Sequence, residues 1–500
     1  GVYNKGTYTF DQGWTIDLTS KGTFTITDPS ATVMMIPQTV PAGATITLNY
    51  DGGEKIKTSL ENIEWNGGKR ITYTLHKTET KTYIYFDLAA GNVTIDGSTY
   101  TGYVYTNNGS DIEKLTDTHK SGNNYYVYQS SSKNRSSSGW SGGANADGST
   151  HTLPVYDPAY LMIDGEEVLW NDFIINNTDV NSVINAWNDT NYEPATNVGR
   201  EISDYYINIT GNLICNLTID NLFTKVQHTY GSGSEAGIRF EPDKDKKGSK
   251  LTITSLGENR FGNIRYWNKE GDNQNEIIFE GTGSITVADV LKDWIDNGGY
   301  YGNHFNSAIG GTDHNKPSNG ITINSGIIYA GTTEAENSSA IGGGGNGYGK
   351  VTINGGIVTA VASTTGTAIG GGIGFASAGG KGDVTINGGN VYAYNFENRN
   401  GIPSAAIGGA GSRDNAGNTG NVIITGGNIY AYAVGGTAIG GGSSQKSNGG
   451  NAVVEISGGN IIAISKAGKV SGSNSAGAGI GGGTGGTNTG SNGGKATIRI

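Results

Sequence analysis

Six times in its last two hundred residues the chain spells Ala-Ile-Gly-Gly or a close variant, centred on Ile309, Ile341, Ile369, Ile407, Ile439 and Ile480. A second word falls between the copies: Ile321-Thr-Ile-Asn-Ser-Gly, Val351-Thr-Ile-Asn-Gly-Gly, Val384-Thr-Ile-Asn-Gly-Gly, Val422-Ile-Ile-Thr-Gly-Gly and Val454-Glu-Ile-Ser-Gly-Gly. The steps between isoleucines are 32, 28, 38, 32 and 41 residues, so the words keep their order while the spacers vary. Ordered words with elastic spacers are the mark of a solenoid, in which each coil packs only on its neighbours.

Composition narrows the kind of solenoid. Glycine is abundant, at 85 of 500 residues, but proline is scarce at nine, and glycine does not recur at every third position as a collagen helix demands. The net charge of −11 is spread along the chain, and no basic run exceeds the lysines Lys244, Lys246 and Lys247, which argues against a nucleic-acid partner. No run of 18 apolar residues is present for a membrane-spanning helix. The single cysteine, Cys215, excludes an internal disulfide and reads as a small buried apolar residue.

One repeat, residues 351–383, can be read as geometry. Val-Thr-Ile, an Asn-Gly-Gly corner, Ile-Val-Thr-Ala-Val-Ala, a Ser-Thr-Thr-Gly corner, Thr-Ala-Ile-Gly-Gly-Gly and a variable loop give three short strands per coil of a right-handed parallel β-helix. Alternation places Val351, Ile353, Val358, Ala360 and Ala362 inward, and Thr352, Thr359 and Val361 outward. Ile341 and its copies form an inward ladder on the third face. Asn324, Asn354 and Asn387 fall at one corner, where amides of successive coils can bond to one another. The spacers 311–320, 343–350, 371–383, 409–421 and 441–452 all leave the same corner and should line one edge.

The coils are preceded by other material. Residues 1–130 alternate apolar and polar in Thr- and Tyr-rich segments, as in Thr45-Ile-Thr-Leu-Asn-Tyr and Thr82-Tyr-Ile-Tyr-Phe, which predicts an antiparallel β-sandwich. Residues 131–204 read as a linker and cap, with a Ser/Gly/Asn-rich stretch near its start and a short helix opened by Asp179. Residues 205–500 are assigned to the β-helix, with less regular early coils and strict repetition from about 307. The last segment, Ala496-Thr-Ile-Arg-Ile, reads as the first strand of a further coil, so the solenoid is expected to continue past residue 500.

Val33-Met-Met-Ile-Pro-Gln-Thr-Val-Pro-Ala-Gly-Ala-Thr-Ile-Thr-Leu, followed by Trp65-Asn-Gly-Gly-Lys-Arg-Ile-Thr-Tyr-Thr-Leu, resembles the second half of a fimbrillin-like domain of Bacteroidales surface proteins. The resemblance covers roughly residues 1–80 and implies a pilus-related, exported protein held at the outer membrane by a segment outside this chain. The first half of such a domain would precede Gly1. The repeats resemble those of exported, adhesin-like proteins of gut bacteria, which implies cell-surface adhesion, with host or bacterial surface glycans or proteins, or other pilus subunits, as partners.

Function should show on outward positions. On the second face these read Tyr329, Thr359, Tyr392, Tyr430 and Ile462 in one column and Val361, Tyr394, Tyr432 and Ile464 beside it. Such a stripe can stabilise the sheet, pack against another domain or subunit, or stack on sugar rings, and the three readings stay open. On the first face Thr322, Thr352, Thr385, Ile423, Glu455 and Thr497 form the outward column. The insertion 289–306 gathers Trp294, Tyr300, Tyr301 and His304 among acids and amides, a composition suited to sugar binding or to a lid over the solenoid. Tyr392, Tyr394, Tyr430 and Tyr432 join these four as candidate ligand-binding residues.

Parallel β-helices also carry polysaccharide lyases and hydrolases, so an enzyme is the rival reading, with the aromatic insertion as cleft wall and a bare structural spacer as a third. A glycosidase needs two carboxylates across one cleft, and the regular coils offer few outward acids. No calcium-loop, phosphate-loop or other cofactor motif is present, and no metal or cofactor is expected. The reading is therefore a non-enzymatic adhesin.

Overall fold

The computed structural model describes separate strands before residue 206 and then residues 206–224, 237–242, 248–266, 275–288, 307–311, 318–332, 338–362, 366–374, 380–396, 402–470, 473–487 and 490–500. Side chains before residue 206 are described mainly at 83–88, 92–97 and 124–129. The insertion 289–306, the short helix opened by Asp179 and the Ser/Gly/Asn-rich linker lie outside the described residues. Two compact units divide the chain, Gly1–Lys81 and Thr82–Ile500.

The larger unit is a parallel β-helix. From residue 258 onward the chain visits three sheets in a fixed cycle, illustrated by Gly349–Ile353, Ile357–Ala362 and Ile369–Gly370, then Gly382–Ile386, Asn390–Asn395 and Ile407–Gly408. Among the described residues, face one has 11 strands, face two has seven and face three has 12. Every pairing within faces one and two is parallel, as in the registers Val351↔Val384↔Val422↔Val454 and Ala360↔Ala393↔Ala431↔Ala463. All the described secondary structure is β.

The interior follows from alternation. Val351, Ile353, Val358, Ala360 and Ala362 are buried, as are Ile309, Ile341, Ile369, Ile407 and Ile439, which pair coil to coil as one isoleucine column. Branched side chains of one size stacked in register bury their apolar area with little rotamer freedom to lose. The column ends at Ile480, which is only half-buried. At the first corner Asn354 Nδ2 donates to Asn324 Oδ1 and Asn387 Nδ2 donates to Asn354 Oδ1, each at 2.8 Å. A second amide ladder runs through Asn390, Asn428 and Asn460 at 2.9 Å per step.

The solenoid begins far earlier than residue 205. Tyr83–Asp87 and Ser121–Tyr128 pair parallel with each other, and the latter pairs parallel with Ile214–Asp220, so both belong to face one. Val93–Gly97 pairs parallel with Ile207–Gly211 on face three. These residues were expected in the antiparallel part, and the pattern of Thr and Tyr alternating with apolar residues does not distinguish the two directions. Among the described residues of this stretch, antiparallel pairing joins Gly102–Thr106 to its two neighbours and Tyr160–Ile163 to Glu166–Leu169. In the smaller unit, Thr45–Asn49 pairs antiparallel with Lys55–Ser59 and Gln38–Thr39 with Glu64–Trp65, while Trp14–Ile16 pairs parallel with Val33–Met35.

The final strand also departs from expectation. Glu455 lies opposite Arg499, and Thr497 lies opposite Val453, so Thr497 sits two residues along from the column assigned to it. Opposite charges now meet directly across the strands, with the Arg499 guanidinium bonded to the Glu455 carboxylate.

Candidate functional site: the outward faces of the coils

On face two the predicted columns are in register. Tyr329, Thr359, Tyr392, Tyr430 and Ile462 face one another in sequence, with Val361, Tyr394, Tyr432 and Ile464 beside them. Exposure varies along both columns, and Thr359 is buried while Ile464 is half-buried. Tyr392 and Tyr430 are half-buried and Ile462 is exposed, whereas Val361, Tyr394 and Tyr432 are buried. Tyr394 stacks on Phe396 with ring centroids 5.4 Å apart, and Phe396 meets Tyr432 at 5.6 Å.

Tyr394 and Tyr432 therefore form part of a covered aromatic layer outside the barrel, and their rings have no open face for a sugar. Burial pushes the Tyr394 and Tyr432 hydroxyls well above the ordinary phenol range, and Tyr430 is pushed in the same direction. Alternation identifies which side of a strand a residue leaves from, but says nothing about what packs there. Of the candidates, the described residues leave Tyr392 and Tyr430 accessible. Trp294, Tyr300, Tyr301 and His304 lie outside the described residues.

The spacer edge is ordered by backbone bonding between coils. Gly374, Ser412 and Ser444 form successive parallel bridges. Ser412 N–H donates to Ser443 O at 2.9 Å, and Gly442 N–H donates to Asn418 O at 2.9 Å. The serines are buried. Charges stand at the tips, where Lys446 Nζ lies 2.6 Å from Asp414 Oδ1 and Arg413 Nε lies 3.1 Å from Asp414 Oδ2. The hydrogen bonds from Lys446 and Arg413 hold the Asp414 carboxyl below the usual carboxylate range.

A third surface was missed by sequence reasoning. Tyr83, Tyr85, Tyr126 and Tyr128 project from the first coils of face one, with Tyr85 61 % exposed. Tyr85 and Tyr126 have ring centroids 5.2 Å apart, and Tyr126 meets Tyr83 edge-on at 5.8 Å. The Tyr126 hydroxyl donates to Asp220 Oδ2 at 2.6 Å, which with partial burial raises its pKa to about 12. The available signal was the alternation Tyr83-Ile-Tyr-Phe-Asp beside Asn124-Tyr-Tyr-Val-Tyr, but it becomes a cluster only once the two segments are laid in parallel register.

Among the described residues no three His, Cys, Asp or Glu side chains gather as a metal site would require. Comparison with family models, curated proteins and solved structures found no match to this chain.

Proposed function

We propose that the chain is a non-enzymatic, exported cell-surface adhesin or fimbria-associated protein. In this reading an N-terminal antiparallel sandwich of fimbrillin-like type carries a right-handed β-helix with three strands per coil, which serves as stalk and binding face for surface glycans. The reading is carried by one observation: outward side chains line up in register over coil after coil, so that Thr322, Thr352 and Thr385, or Tyr392 and Tyr430, form columns along the sheets. A periodic face presents repeated weak contacts to a repeated ligand, and aromatic members of such a face suit the apolar side of a sugar ring.

The test is to incubate the chain with defined plant, bacterial and mucin polysaccharides and measure both retention and product formation. Retention without new reducing ends or unsaturated products is the expected outcome. Release of either product would place the chain among polysaccharide-degrading enzymes instead.

A further inference from the structure

The tyrosine group on the first coils of face one forms a grid. Three parallel strands place Tyr83, Asn124 and Asn216 in one row, Tyr85, Tyr126 and Thr218 in the next, and Asp87, Tyr128 and Asp220 in the third. All nine side chains leave the same side of the sheet, because alternate positions on each strand point outward while Ile84 packs against the core and Phe86, Tyr125, Val127, Leu217 and Ile219 are buried in it. Aromatic rings thus occupy the centre of the grid, with amides along one margin and carboxylates along the other.

The geometry points to this grid as a binding site for a neutral hexose oligosaccharide, the chain lying along the solenoid axis across Tyr85 and Tyr126. The inference rests on the glycan-binding reading above and assigns it a place and a ligand class. Three features select that occupant. First, Tyr85 at 61 % and Tyr128 at 37 % exposure keep ring surface in solvent, where the C–H face of a sugar can cover it. Second, the Tyr126 O–H is committed to Asp220, so its oxygen is left to accept, and the Asp220 carboxylate keeps acceptor capacity beyond the bonds from Tyr126 and Asn221. Acceptors beside aromatic rings match the hydroxyl donors that flank the apolar face of a hexose. Third, the acids on that margin disfavour an anionic glycan and leave a neutral one unopposed.

Spacing agrees with this orientation. Successive coils are about 4.8 Å apart along the axis, close to the length of one hexose unit in an extended chain. A sugar polymer aligned with the axis therefore meets one strand per unit.

The test titrates the full chain with neutral gluco-, manno- and galacto-hexasaccharides, with hexagalacturonate as the charged comparator, and follows binding by calorimetry. Tyr85→Ala is expected to weaken binding about tenfold and Tyr85→Phe to retain it, both with unaltered melting. A neutral ligand bound equally well by the parent and by Tyr85→Ala overturns the site while leaving the glycan-binding reading intact. Tighter binding of hexagalacturonate than of any neutral sugar overturns the ligand class. No binding of any sugar by the parent overturns both the site and the reading beneath it. Concentration-dependent self-association that Tyr85→Ala abolishes would assign the grid to a second copy of the chain and also overturn the proposal.

Discussion

Asn387 donates its side-chain amide to Asn354 at 2.8 Å, from one coil to the next across 33 residues. Asn354 passes the same bond to Asn324, and Thr425 continues the line through its hydroxyl to Asn387. The ladder lies at the corner where the chain leaves face one, beside the backbone bonds Asn354 N–H to Ile323 O and Asn387 N–H to Ile353 O. Asn387→Ala removes the donor of one rung and the acceptor of the next and should cost about 1 kcal/mol in a denaturant melt. Asn387→Thr should cost less, because a threonine already occupies the equivalent corner at 425.

Gly342 follows the buried Ile341 with φ of 138°, and a Cβ there would collide with the carbonyl oxygen of Gly370 in the next coil. Both obstacles act at once: the backbone conformation is unfavourable for an L side chain, and the coil above cannot retreat without breaking its own strand bonds. Gly342→Ala should destabilise the coils around it by roughly 2–4 kcal/mol. Hydrogen exchange should show the loss concentrated in the adjacent coils, since a solenoid transmits contacts only between neighbours.

The Tyr126 phenol, raised to about 12 from its ordinary 10.0, is the group on face one whose titration can be read by difference. The folded state holds this proton more tightly than the unfolded chain does. Its stabilising contribution is therefore complete below about pH 10 and disappears as pH rises through about 12. Asp220→Asn removes the charged acceptor and should bring Tyr126 back toward 10.0, seen as earlier phenolate absorbance in the variant than in the parent. Coincident titration curves would contradict the hydrogen bond.

Cys215 is fully buried, with Asn123 and Leu251 as its register partners on the two neighbouring strands, and burial pushes its thiol far up. A disulfide reagent should leave the folded chain unmodified and label one thiol per chain once denaturant is added. Labelling in native buffer at the rate of a free thiol would mean that the early coils open readily.

Much of this fold was legible in the repeated words. The inward isoleucines, the amide corner, the strand cycle and the outward columns all follow from residue alternation plus a fixed word order, because a solenoid makes every coil solve the same packing problem. The early coils were not legible. Tyr83–Asp87 and Ser121–Tyr128 lack the Val-Thr-Ile word and lie far apart in sequence, and Thr/Tyr alternation describes a half-exposed strand whatever the direction of its neighbour. The burial of Tyr394 and Tyr432 was hidden for a different reason: a column seen from one strand does not reveal a second layer such as the one Phe396 builds over it. Thr497 illustrates register, where a two-residue slip preserves every in-or-out assignment and so leaves no trace in the hydrophobic pattern.

The central claim is that the outer faces of the coils hold glycans without altering them. The direct measurement takes the polysaccharide retained most strongly by the chain, follows the isotherm to saturation by calorimetry, and then analyses the recovered polymer for chain length and new ends. Saturable binding with the polymer recovered intact is the predicted result. A polymer shortened in proportion to time and protein, or no saturable binding to any glycan tested, would contradict the account.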